Sequence, residues 1–288
     1  MTVKALMMVG LALLASPPAA AQTAATVKRA VEREFPKRIT PSKIILVGDS
    51  TTAVIGGWGP SFCAFHVSSF AACLNLARGG RSSRTYMQEG SWNIALNEAR
   101  TPGYSNVWVL IQFGHNDQPG NSRSTELGNE FPGYIRRYVD DVRAAGAKPI
   151  LVTPLTRRSF AAGKLVNDLA PWAAAVRKVA AEAGCPVIDL NADSAAAVQQ
   201  MGSAAADRFA QLPRGSVPTS QTPPRSQTEV VVEPTVVPRL SFDDTHLGVV
   251  GADYFAAMVA RELAATVPEM RRVLVVDDAI GAEDRHMK

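Results

Sequence analysis

From Lys43 onward the chain alternates short apolar runs with longer stretches of helical period, and this alternation constrains the fold more than any other feature. The candidate strands are 43–47, 71–76, 106–113, 149–153 and 186–190. Each is short, apolar and bounded by turn residues, which predicts strands buried on both faces. Between them, stretches such as 134–145 and 170–183 end at Gly146 and Gly184, a glycine C-cap signal. Strands separated by helices must run parallel, with right-handed crossovers.

Five such strands predict a three-layer α/β/α sandwich around a five-stranded parallel sheet, in the doubly wound, flavodoxin-like class. One domain, 43–266, holds them, preceded by an N-terminal segment at 22–42. Residues 202–239 carry Pro213, Pro218, Pro223, Pro224, Pro234 and Pro238 among serines and threonines, and read as a long irregular insertion. The stretch 249–266 predicts a closing helix, and 267–288 is a charged tail with no further reading.

The N-terminus carries Lys4, an apolar run at 5–15, and then Pro17-Pro18-Ala19-Ala20-Ala21. That is the order of a secretory signal, 1–21, cleaved after Ala21, and it predicts a secreted or periplasmic protein. The run is far short of the roughly 20 residues a membrane helix needs, so no membrane span is expected. Of the 288 residues, 47% are hydrophobic and 19% charged, which argues against a disordered or coiled-coil chain. A net charge of +4 without basic clusters gives no nucleic-acid footprint. Cys63, Cys73 and Cys185 are too few for a disulfide scaffold, although export would permit a Cys63–Cys73 bridge; small buried thiols are the equal alternative.

Ligands of open parallel sheets bind beyond the carboxyl ends of the strands. There the polar residues are concentrated: Gly48-Asp49-Ser50-Thr51 after the first strand, Arg78 to Arg84 after the second, and Gly114-His115-Asn116-Asp117 after the third. Ser50, expected at the start of a helix, suits a nucleophile, but a hydroxyl needs a base and an orienting acid. Of the four histidines, His246 is the best base, because it lies in a loop before the last helix with Asp243 three residues earlier. Gly80 and Asn116 fit as oxyanion donors, one through a closely approaching N–H and the other through a neutral amide. No Gly-x-Ser-x-Gly elbow, Walker loop or Gly-x-Gly-x-x-Gly occurs, and the cysteines and histidines lack metal spacing, so neither cofactor nor metal is expected.

Together, the Gly-Asp-Ser-Thr, Gly80, Gly114-His115-Asn116-Asp117 and Asp243-Asp244-Thr245-His246 blocks resemble the four blocks of the SGNH, or GDSL-like, hydrolases. The wording Gly80-Arg81-Ser82-Ser83-Arg84, Ile111 to Asp117 and Thr153-Pro154-Leu155-Thr156-Arg157-Arg158 resembles the rhamnogalacturonan acetylesterase branch more than the lipase branch. The resemblance implies a serine esterase with Ser50, His246 and Asp243 as triad, and with Ser50, Gly80 and Asn116 as oxyanion hole. It implies an acetylated plant cell-wall polysaccharide as substrate. Arg81, Arg84, Arg157 and Arg158, with His115 beside the site, form an expected basic rim for a polyanion. The alternatives are an SGNH lipase, thioesterase or lysophospholipase, a deacetylase of a neutral polymer such as xylan, and a non-catalytic module in which Ser50 only caps.

Overall fold

A computed structural model describes residues 40–216 and 242–276. The expected signal segment, most of the 22–42 segment, residues 217–239 of the Pro-rich insertion and the end of the tail lie outside the described residues. The elements in chain order are β1 (Ser42–Gly48), α1 (Gly59–Phe65), β2 (Ala71–Asn75), α2 (Ser83–Gln88), α3 (Ser91–Arg100), β3 (Val107–Gln112), α4 (Glu130–Ala144), β4 (Lys148–Val152), β5 (Phe160–Ala161), β6 (Lys164–Leu165), α5 (Ala170–Ala183), β7 (Val187–Ile188), α6 (Leu190–Ala206) and α7 (Val249–Thr266). All five expected strands form, and they pair in parallel in the order β2-β1-β3-β4-β7. β5 and β6 make a small antiparallel hairpin that the sequence reading did not anticipate.

β1 shows why the sequence folds this way. Strand side chains alternate between faces. Ile44 and Leu46 join a core formed with Trp58, Phe62 and the buried residues of α6 and α7. Ile45 and Val47 join the opposite core, with Tyr86, Trp92, Phe131, Val139 and Val176. All four are fully buried, each worth about 1.5–3 kcal/mol by transfer from water. Helices therefore cover both faces, and an unbroken apolar run is what such a strand requires. Cys63 of α1 and Cys73 of β2 form a disulfide, which settles the pairing left open above and ties that helix to the edge strand.

Three boundaries differ from expectation. Ser50 lies in a run of turns before α1, not at the start of a helix, because Asp49 turns the chain back on itself first. The irregular insertion does not begin at Gly202: α6 continues to Ala206 across a kink at Gly202, and Phe209 packs against Tyr254 and Phe255. The segment after α7 is not all tail. Val267, Met270, Val273 and Leu274 are buried in the core, and Leu274 bridges to Val67.

Candidate active site

The strand order reverses between β1 and β3, the switch point at which ligands of this fold class bind beyond the strand ends. β1 delivers Ser50 there and β3 delivers His115 and Asn116. The turn at Ser50 is anchored from beneath by a buried polar chain. The Asp49 carboxylate accepts from the Thr51 N–H at 2.9 Å and from its hydroxyl at 2.7 Å. Gln112 at the end of β3 donates to the Thr51 hydroxyl at 2.6 Å and accepts from the Trp58 indole at 2.9 Å. Buried polar groups must find partners, and here each partner pins the turn.

His115 is buried, with Nδ1 3.4 Å from the other Asp49 oxygen. Its Nε2 has no hydrogen-bond partner among the described residues. Asp49 is held below the usual carboxylate range: burial works against this, but His115 and the Thr51 donors outweigh it.

His246 sits in the loop before α7. Its Nδ1 is 2.9 Å from Asp243 Oδ2, while Asp243 Oδ1 accepts from the N–H groups of Thr245 at 2.7 Å and His246 at 2.6 Å. These contacts draw the Asp243 carboxyl down to about 2 despite desolvation by burial. The Asp243 contact raises His246 above its ordinary value; burial opposes this, and Asp49 adds to it. The loop reaches the Ser50 side of the sheet through Leu247, whose N–H donates to Gly56 O at 2.8 Å. A Cβ on Gly56 would fall 3.1 Å from the His246 ring. Ser50 and His246 form no hydrogen bond with one another among the described residues.

Gly80 adopts φ +77°, a left-handed conformation that glycine takes without strain. Neighbouring Gly79 lies against Ser50, since a Cβ there would sit 3.6 Å from Ser50 Cβ. The Asn116 amide donates one hydrogen to Arg81 O at 3.0 Å, which fixes its orientation and leaves the second free. Asp117, fully buried and pushed up to about 6 by desolvation, accepts from Ser83 N–H and hydroxyl and from the Thr125 hydroxyl. It thereby fastens the Gly80 loop to the Asn116 loop.

The expected basic rim is largely internally paired. Arg81 bonds Glu89 at 2.8 Å, and Arg157 pairs with Asp168 while donating to Gln118 at 2.7 Å. Arg84 donates to Ser122 O and Ser124 O. Arg158 is not a rim residue at all: it is 1% exposed, with its guanidinium turned into the His246 loop, so it cannot touch a polymer. Sequence reasoning missed Arg123, which donates to Gly80 O at 3.2 Å and to Asn121 Oδ1 at 3.2 Å, with no carboxylate partner among the described residues. No motif flagged it, because only the fold brings it to Gly80.

A profile of the GDSL-like Lipase/Acylhydrolase family matches residues 46–216, a span that stops short of Asp243 and His246. The chain is similar to the probable rhamnogalacturonan acetylesterase YesY of Bacillus subtilis (strain 168), with 34% identity over 167 residues, 55% of this chain and 75% of that one. It is similar to rhamnogalacturonan acetylesterase RhgT of the same organism, with 35% identity over 160 residues, 53% and 66% of the two chains. Among solved structures, protein YxiM of Bacillus subtilis gives a TM-score of 0.58 at 23% identity, over 79% of this chain and 57% of that one. A mutant of Axe2, an acetyl-xylooligosaccharide esterase from Geobacillus, gives 0.51 at 15% identity, over 80% and 96%. At these identities the two structures share the fold.

Proposed function

The chain belongs to the GDSL-like lipase/acylhydrolase family and is a carboxylic ester hydrolase; on that premise we propose that it removes O-acetyl groups from a plant cell-wall polysaccharide, rhamnogalacturonan or a related pectin. The observation that carries the chemistry is the His246–Asp243 contact on the loop that reaches the Ser50 turn. Ser50 Oγ attacks the acetyl carbonyl while His246 Nε2 takes its proton, and Asp243 holds the ring and stabilises the imidazolium. The N–H groups of Ser50 and Gly80 and the free Asn116 N–H receive the oxyanion. Collapse expels the sugar oxygen, which takes the proton from His246. Water then repeats the sequence on the acetyl-enzyme and releases acetate.

The pectic substrate is supported by the names of YesY and RhgT and by Arg123 and Arg84, the two arginines near Gly80 whose bonds are to neutral groups only. Deacetylation of a neutral polymer such as xylan is the second reading. It is favoured by the carboxylates that already pair Arg81 and Arg157. Export to the periplasm or medium, with cleavage after Ala21, is part of the proposal. The signal-like residues 1–21 support it, as does the Cys63–Cys73 disulfide, since such bonds persist in oxidising compartments. Among the described residues no helix is long and apolar enough to cross a membrane.

Acetate release from acetylated rhamnogalacturonan, acetylated xylan and p-nitrophenyl esters of rising chain length tests the reading. Preference for the pectic polymer is the expected result. Preference for long acyl chains over acetyl would overturn it in favour of a lipase or thioesterase.

A further inference from the structure

Arg158 contacts all four residues of the segment that carries the His246–Asp243 pair. Its Nη2 donates to Asp243 O at 3.0 Å and His246 O at 2.8 Å, its Nη1 donates to Thr245 O at 3.3 Å, and its own backbone N–H donates to Asp244 O at 2.7 Å. Four consecutive carbonyls of one loop are thus held by a single residue. A guanidinium is suited to holding three of them, because its donors lie in one rigid plane, whereas an ammonium is a point charge on a flexible stem.

The placement has an electrostatic side as well. Arg158 is 1% exposed and forms no ion pair with any carboxylate among the described residues. Burial accordingly lowers its guanidinium to about 10. Asp243, Asp244 and Asp207 offset part of that burial cost through space without forming an ion pair with it, and low local polarity lets the guanidinium charge act on its neighbours.

We propose that Arg158 is a positioning residue of the esterase, holding the backbone carbonyls of 243–246 so that the His246 ring is aimed at Ser50. The proposal rests on the esterase reading for its kinetic consequence, but not for its structural one. The groups acting on His246 are Asp243 and Asp49, which stabilise the imidazolium, and Arg158, which opposes it. Asp243, Asp244 and Asp207 act in turn on Arg158, and Arg214 pairs with the last two. Removing Arg158 therefore shifts His246 further upward and loosens its aim.

Two variants separate the two effects. Arg158→Lys keeps a charge but replaces the rigid planar fork by a compact ammonium on a flexible stem; Arg158→Gln loses the charge and can donate to two carbonyls at most. Each folded variant is compared with wild type in kcat for p-nitrophenyl acetate, in the pH profile of kcat/KM, and in a histidine NMR titration of His246 without substrate. Arg158→Lys is expected to lose about tenfold or more in kcat with the His246 titration nearly unmoved. Arg158→Gln is expected to lose at least as much and to titrate at higher pH than wild type, with methylguanidinium restoring part of the rate. Unchanged kcat in the folded variants, or a His246 titration that does not respond to loss of the charge, would overturn the proposal. So would failure of both variants to fold, which would make Arg158 a residue of stability only. A wild-type protein inactive on every ester would sink the esterase reading instead, and the NMR comparison would still decide whether Arg158 acts on His246.

Discussion

His246 Nδ1 lies 2.9 Å from Asp243 Oδ2, while the second oxygen of that carboxylate binds two backbone N–H groups of the same loop. One carboxylate therefore both shapes the loop and orients the ring. Asp244, next in sequence, faces Arg214 instead. Asp243→Asn should cost several orders of magnitude in kcat, up to about 10⁴, because the amide supports the wrong ring tautomer. Asp244→Asn should stay within a few-fold of wild type. Steady-state kinetics on p-nitrophenyl acetate checks the pair, and the reverse order would show that the other carboxylate belongs to the triad.

Ser50→Ala and His246→Ala should each abolish turnover by about 10⁴- to 10⁶-fold, and the double variant should be hardly worse than either, since triad members act as a unit. Thermal unfolding should move little for Ser50→Ala, because that hydroxyl makes no hydrogen bond among the described residues. A folded Ser50→Ala protein with near-normal turnover excludes the acyl-enzyme route.

Asn116→Ala should lower kcat by about 10² to 10³, or roughly 2.7–4 kcal/mol, with little change in KM. Gly80→Ala should be worse than a methyl group implies, because φ is +77° there and the new Cβ would lie 3.3 Å from Arg123 Nη1. A pure KM effect at Asn116 would assign it to substrate binding.

Much of this site was legible in the sequence because it is written in contiguous blocks at strand ends. Ser50, Gly80 and Asn116 follow β1, β2 and β3 directly, and the parallel order of those strands brings them to one edge. What was not legible depends on contacts across long sequence separations. Arg158 and His246 are 88 residues apart, and Arg123 and Gly80 are 43 apart. An arginine in a loop reads as solvated charge unless the fold is known, so Arg158 was misplaced on the rim and Arg123 was overlooked. The helical run across Gly202 was hidden by the prolines after it, whose composition masked an alanine-rich helix and the burial of Phe209.

The pH profile follows from the same loop. His246 must be neutral to act as base, and the Asp243 contact raises it above 6.5, so the acid limb of kcat/KM should have its midpoint above that value. Asp243→Asn removes the main cause, and its residual activity should show a limb displaced to lower pH. The linkage to stability has the matching sign. A raised histidine favours the fold fully below pH 6.5 and loses that contribution as pH rises through its folded value. Asp243, lowered from 3.8 to about 2, contributes above 3.8 and loses its share as pH falls toward 2. An acid limb below 6.5 in the wild type would contradict the contact.

The substrate proposal is tested through the arginines near Gly80. Arg81 and Arg157 have carboxylate partners, so their fields are largely spent within the protein. Arg123 and Arg84 bond only neutral groups, and Arg123 donates to the Gly80 carbonyl. If a uronate carboxylate is read there, KM for acetylated pectic polymer should rise with salt, because screening shortens the field to about 8–10 Å at 0.1–0.15 M. Arg123→Gln should raise that KM and flatten its salt response, and Arg81→Ala should do less. KM for acetylated xylan should respond to salt far less than KM for the pectic polymer. Equal, flat responses for both polymers in all these proteins would make the arginines ordinary structural partners. The neutral polymer would then be the better substrate, with Ser50, His246 and Asp243 performing the same chemistry on it.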